Sequence, residues 1–239
     1  MSRMSLWIGL GLNAPGGGRS GLRLPFATGL LTLLLPDASH KDLTGDGLVI
    51  RVRATVGSDS QDQADPTRQF SWDDVSVLGG RAALFRVSGT PYLLTASGLA
   101  LSHPFVLYLV AAPPTQAPAS LLVDGHASGS RCFLAHLSGT QYQMGGASGT
   151  ITGTHTIPAT GTLFTLIFDG ASSELRANGV SLGTGTTTTA AIDRVVWGAR
   201  FSFTVPSGAP LGALGLQTGH PTGPQIADNE AAFMDWFQL

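Results

Sequence analysis

The sequence predicts an all-β sandwich or barrel, and three observations carry that expectation. Short apolar or alternating runs are separated by turns bearing Gly and Pro over about 150 residues. No helical period interrupts them before the C-terminus. Asn178-Gly179, a preferred pair for a type I′ hairpin turn because both residues tolerate positive φ, sits between two such runs. Of 239 residues, 32 are Gly and 14 are Pro. Charged residues make up 12%, about half the usual share. Hydrophobic residues reach 43%, enough for a core, and one large all-β domain accommodates the length.

The elements follow in chain order. Leu6, Ile8, Leu10 and Leu12 alternate with Trp7, Gly9 and Gly11, a strand pattern that residues 13–21 then separate from the body. A strand tethered through Gly16-Gly17-Gly18 suits addition to another chain's sheet. The alternative is an edge strand of the same domain. The expected division is an anchoring arm and linker over 1–23 and one domain over 24–239. Residues 48–56 read as one strand, with Leu48, Ile50, Val52, Ala54 and Val56 inward and Arg51, Arg53 and Thr55 outward. Residues 83–87 repeat the pattern. Residues 105–110 are continuously apolar between prolines, a strand buried on both faces. Further strands are expected at 120–124, 131–137, 141–144, 163–169 and 199–205, the last with Phe201, Phe203 and Val205 inward. Glu174-Leu175-Arg176-Ala177 and Val180-Ser181-Leu182 flank the hairpin turn. One helix closes the chain over 228–237, with Ala232, Phe233, Trp236 and Phe237 on its apolar face and Asp228 as its cap.

Composition excludes several functions. The formal net charge is −2, and Lys41 stands alone as lysine, so no basic footprint for nucleic acid exists. Cys132, the single cysteine, cannot form an intrachain disulfide and reads as a small core residue. Residues 1–12 resemble a short signal core, but no A-x-A-like cleavage site follows. Residues 87–123 lack Asp, Glu, Lys and Arg, yet glycines and prolines break any helix long enough to span a bilayer. No membrane insertion is expected.

Most apparent motifs lack their structural context. Gly9-Leu10-Gly11-Leu12-Asn13-Ala14 matches a dinucleotide pattern, but the glycines and proline after it forbid the helix that would hold a pyrophosphate. Gly179-Val180-Ser181-Leu182-Gly183 matches a nucleophile-elbow pattern, but Ser181 lies on a hairpin strand. Glycoside cleavage needs two flanking carboxyl groups. Glutamate occurs only at Glu174 and Glu230, and the aspartates at 46, 124 and 169 precede glycine, as turn residues do. Asp59, Asp62 and Asp65 share a polar loop and Asp73-Asp74 follows Trp72, so the expected cofactor is none, with bound calcium left open. The six histidines are too scattered for zinc. Ligand-contacting candidates are Trp72 beside Asp73, Tyr142 between two glutamines, and Asp124, His126 and Arg131 around a glycine-bearing turn. The alternative for Trp72 and Tyr142 is an ordinary half-buried position in a sheet.

Residues 80–85, Tyr92-Leu93 and 105–110, followed by Thr165-Leu166-Ile167-Phe168-Asp169-Gly170 and the run to Gly179, resemble the laminin-G-like, concanavalin A-like jelly-roll domains of phage and prophage tail or head fibres. The closing Ile226-Ala227-Asp228-Asn229-Glu230-Ala231-Ala232 is similar to that family's terminal helix. The resemblance covers roughly residues 24–239. It departs at Ala227, where the family has Ser, and at residues 212–216, where the family's strand carries acidic residues. Through Asp65 it is loose. It implies a jelly-roll sandwich that binds host cell-surface polysaccharide on a virion, phage-like particle or gene transfer agent. Its partners would be other virion proteins, contacted through Leu6, Trp7, Ile8, Leu10 and Leu12, with many copies or a homo-oligomer per particle. The rival readings are a polysaccharide-cleaving enzyme of the same fold and a purely structural decoration protein.

Overall fold

The computed structural model describes residues 30–35, 41–44, 48–52, 54–56, 60–73, 78, 81–86, 89–95, 97–114, 120–219 and 221–239. The arm residues Leu6, Trp7, Ile8, Leu10 and Leu12 lie outside them, as do Asp59 and Asp74. The strands are β1 (Leu30–Leu34), β2 (Lys41–Leu43), β3 (Val49–Val52), β4 (Ala54–Val56), β5 (Ser71–Asp73), β6 (Ala83–Phe85), β7 (Leu93–Leu94), β8 (Phe105–Ala111) and β9 (Ser120–Gly125). They continue with β10 (Phe133–Ser138), β11 (Gln141–Gly145), β12 (Thr150–Thr154), β13 (Thr162–Phe168), β14 (Ser173–Ala177), β15 (Val180–Gly185), β16 (Val195–Trp197) and β17 (Leu211–Thr218). Helix α1 (Gly223–Phe237) closes the chain.

Two antiparallel sheets form the sandwich. The larger runs β15-β14-β13-β8-β17-β1-β4, with β6 and β5 added beside β17. The smaller runs β12-β11-β10-β9-β16-β7. Strand β8 shows why a wholly apolar run belongs at the centre. Phe105, Leu107 and Leu109 enter the core between the sheets, while Val106, Tyr108 and Val110 face the layer under α1. Both faces are dry, so the alternation of a one-sided strand disappears. The hairpin of β14 and β15 turns through Asn178 (φ 47°) and Gly179 (φ 78°), the positive pair that a type I′ turn demands.

Three expectations change. Residues 48–56 are not one strand: β3 pairs with β2, whereas β4 joins the larger sheet beside β1. The chain changes sheets between them, and Val49 and Val52 are both buried, out of phase with strict alternation. The Val49 N–H donates to the Phe70 carbonyl at 2.7 Å, which sets that phase. Residues 199–205 form a folded-back loop rather than a strand. The helix starts at Gly223, with Thr222 rather than Asp228 as its N-cap residue. Gln225 Oε1 accepts from the Thr222 N–H at 2.9 Å, and Pro224 sits in the first turn, where a missing N–H leaves no helix bond unmade.

Helix α1 covers the outer face of the larger sheet through Ile226, Phe233 and Phe237. Phe233 stacks on Tyr108 at 5.5 Å. Polar groups fix its position beneath that contact. Tyr108 donates to Gln217 Oε1 at 3.0 Å, and Asn229 Nδ2 donates to Tyr108 Oη at 3.1 Å. Arg176 grips Glu230 with two nitrogens, at 2.8 and 3.1 Å.

Candidate functional site

The site grows from one buried carboxylate. Asp124, near the end of β9, has no exposed surface, so its charge must be satisfied internally. Arg131 supplies Nη2 to Oδ2 at 2.8 Å and Nε to Oδ1 at 3.2 Å. The Phe201 N–H adds a bond to Oδ2 at 3.2 Å. Burial outweighs these partners and holds the Asp124 carboxyl above the usual carboxylate range. Asp124 therefore ties two loops together: the turn over 126–130, and the loop over 198–207 that follows β16. Gly125 permits the turn, since a Cβ there would run into the Ser130 carbonyl oxygen. The second loop closes on itself through Phe203 N–H to Arg200 O at 2.7 Å and Arg200 N–H to Val205 O at 3.0 Å.

These loops set out a row of partly exposed rings. Phe203 stacks on Tyr92 at 4.1 Å between centroids, 13° from parallel. His126 lies tilted against Phe203 at 5.9 Å. Arg68 stands over Tyr92 at 5.8 Å. Beside this row, the Arg131 guanidinium lies 4.3 Å over Phe133 and 5.4 Å from the Phe201 ring. Arg200 lies 5.2 Å from the same Phe201 ring. Partial burial, and after it the charge of Arg194, hold the His126 imidazole below its ordinary range, which favours the neutral ring. Phe203 has a φ of 57°, a left-handed conformation that is strained for a bulky residue. The arrangement sets partly exposed aromatic rings beside guanidinium hydrogen-bond donors.

Asp124, His126 and Arg131 are thus brought together, with Asp124 acting from within by positioning Arg131. The other candidates lie elsewhere. Trp72 and Asp73 are on β5 of the larger sheet, Trp72 half-buried and packed against the main core. Tyr142 is 2% exposed, between His136 at 5.0 Å and Phe164 at 4.8 Å. Its ring has no free face for a sugar because it points inward from β11, and burial pushes its phenol up to about 12. Asp124 likewise is no exposed turn aspartate. The sequence reading missed Tyr92, Arg200, Phe201 and Phe203. The paired Phe201 and Phe203 were the available signal, but their alternation imitates a strand.

Four further carboxylates are engaged. Arg176 joins Glu230 and, at 3.2 Å, Glu174, so both glutamates serve the seam between sheet and helix. Asp62 pairs with Arg51 at 2.5 Å. Asp65 accepts from the Thr67 N–H at 2.9 Å and caps the 3-10 turn at Pro66–Arg68. Among the described residues, no group of three or more His, Cys, Asp or Glu side chains is placed to hold a metal ion.

No family model matches the sequence, and no curated protein matches it. Solved structures do share its fold. Domain 4 of AbnA, an extracellular arabinanase from Geobacillus stearothermophilus solved with arabinotriose, is 17% identical with a TM-score of 0.52, over 84% of this chain and 98% of that one. A Trypanosoma rangeli sialidase in complex with the inhibitor DANA is 14% identical with a TM-score of 0.61, over 88% of this chain and 34% of the sialidase. A botulinum neurotoxin type C structure, whose cell entry depends on two ganglioside molecules, is 9% identical with a TM-score of 0.54, over 86% and 51%. The chain thus spans about a third of the sialidase and about half of the toxin chain. At these identities the likeness establishes the β-sandwich fold, which recurs in carbohydrate-binding and glycoside-hydrolase proteins.

Proposed function

We propose that this chain is a glycan-binding β-sandwich whose site is the patch built on Asp124. The observation that carries the reading is the row of partly exposed rings, Tyr92, Phe203 and His126, beside two arginines that share the Phe201 ring. Sugars stack their C–H faces on such rings while their hydroxyl groups accept from arginine and loop donors. The similar structures support it as a class, since arabinotriose and ganglioside appear with proteins of this fold. Binding is favoured over cleavage because Glu174, Glu230 and Asp124 are each committed to an arginine.

The finer reading places the module on a phage-like particle or gene transfer agent, as a fibre or spike directed at host surface polysaccharide. Its support is the sequence resemblance and the arm with Leu6, Trp7, Ile8, Leu10 and Leu12, proposed to dock on other virion proteins. Several copies per particle would turn weak single contacts into firm attachment. Co-sedimentation of the full chain with polysaccharide-coated bacteria, and with the same cells stripped of it, tests the reading. Pelleting only with coated cells is expected. Equal pelleting with both, or with neither, contradicts it.

A further inference from the structure

Among the described arginines, one inside the proposed site stands apart in what its guanidinium meets. Arg51, Arg68, Arg131, Arg176 and Arg194 each face a carboxylate. Arg81 and Arg86 each donate to a backbone carbonyl. The Arg200 guanidinium meets only the Phe201 ring among the described residues. Arg131 approaches that ring to 5.4 Å and Arg200 to 5.2 Å. Two guanidinium groups therefore flank one aromatic side chain with a single carboxylate, Asp124, between them in the balance. Their local sum is +1, in a chain whose formal net charge is −2. Asp124 is fully buried and occupied by Arg131, so it cannot turn outward to neutralise Arg200.

We infer that the site takes an acidic saccharide, one whose sugar ring carries a carboxylate. The inference rests on the glycan-binding reading above. Arg200 presents the planar fork that matches a carboxylate with two parallel hydrogen bonds. The ring of the same sugar lies on the Phe203–Tyr92 stack, and neutral His126 borders it as a hydrogen-bonding group. Arg131 contributes its field but keeps its bonds to Asp124, so it orients the anion without releasing the buried carboxylate. The loop geometry makes the two roles separable: Arg200 reads the charge, and Phe203 supports the ring.

The test is direct binding of the full chain to oligosaccharides containing galacturonate, glucuronate or sialic acid, each beside its methyl ester, which keeps the shape and removes the charge. At least one acid should bind about tenfold to a hundredfold more tightly than its ester, as one charge-assisted contact allows. That preference should weaken as salt rises. Arg200→Gln should abolish the preference, with residual binding equal to the ester's and an unchanged melting temperature. Arg200→Lys, which keeps charge but loses the fork, should retain part of it. Binding to acids and esters alike, or to neutral sugars alone, overturns the acidic-ligand inference and leaves glycan binding standing. Binding to no saccharide overturns both.

Discussion

Phe203 concentrates the site's logic in one residue. Its left-handed backbone costs about 1–3 kcal/mol, which the stack on Tyr92 and the turn bond to Arg200 offset. Phe203→Gly removes the ring and the strain together, so its unfolding free energy should stay within about 1 kcal/mol of the parent; a far larger loss in urea unfolding would mean that the ring is a structural pillar instead. Arg131→Ala differs, because it strands the Asp124 carboxylate in the interior. Urea titration should show about 3–5 kcal/mol of destabilisation, and Asp124→Asn added to it should recover part of that. At this scale the sequence grouped Asp124, His126 and Arg131 around one turn of the chain, and the structure brings them together there. The sequence hid Phe201, which is 77 positions from the carboxylate that holds its N–H. Tyr142 turned out buried because a polar neighbour in sequence says nothing about which face of a strand a ring occupies, and Trp72 lies apart on β5.

Among the elements, α1 is the clearest case of polar groups specifying a dock. Glu230→Ala should cost about 3 kcal/mol, since it leaves the Arg176 guanidinium at the seam short of its main partner; chemical denaturation measures it, and a loss below 1 kcal/mol would show the pair to be dispensable. Tyr108 adds a pH signature. Burial, the largest cause, pushes its phenol up to about 12. A phenol that ionises near 10 when unfolded and near 12 when folded gives stability that is complete below pH 10 and lost as pH rises toward 12. Tyr142 contributes with the same sign. Tyr108→Phe should therefore shrink, without abolishing, the fall in stability between pH 10 and 12, as urea midpoints at stepped pH would reveal. An unchanged fall would remove Tyr108 from the alkaline transition. Strand β8 and the Asn178-Gly179 hairpin were legible because continuous burial and positive φ leave local marks. The sheet change between β3 and β4 was not, because it is dictated by contacts such as Val49 to Phe70 across the fold.

For the whole molecule, the all-β class was readable from turn spacing and composition, and the sandwich carries one closing helix as expected. Which sheet each strand joined depended on long-range pairing, and so did the meeting of the loops over 126–130 and 198–207 beside Tyr92. The proposed function rests on that meeting, since no single segment contains the patch. The most direct measurement of glycan binding by this patch is a glycan array probed with the full chain and with Phe203→Gly at matched folded concentration. The account predicts that the parent retains a defined set of saccharides and that the variant loses them while remaining folded. Retention of the same saccharides by both proteins, or of none by either, would contradict it.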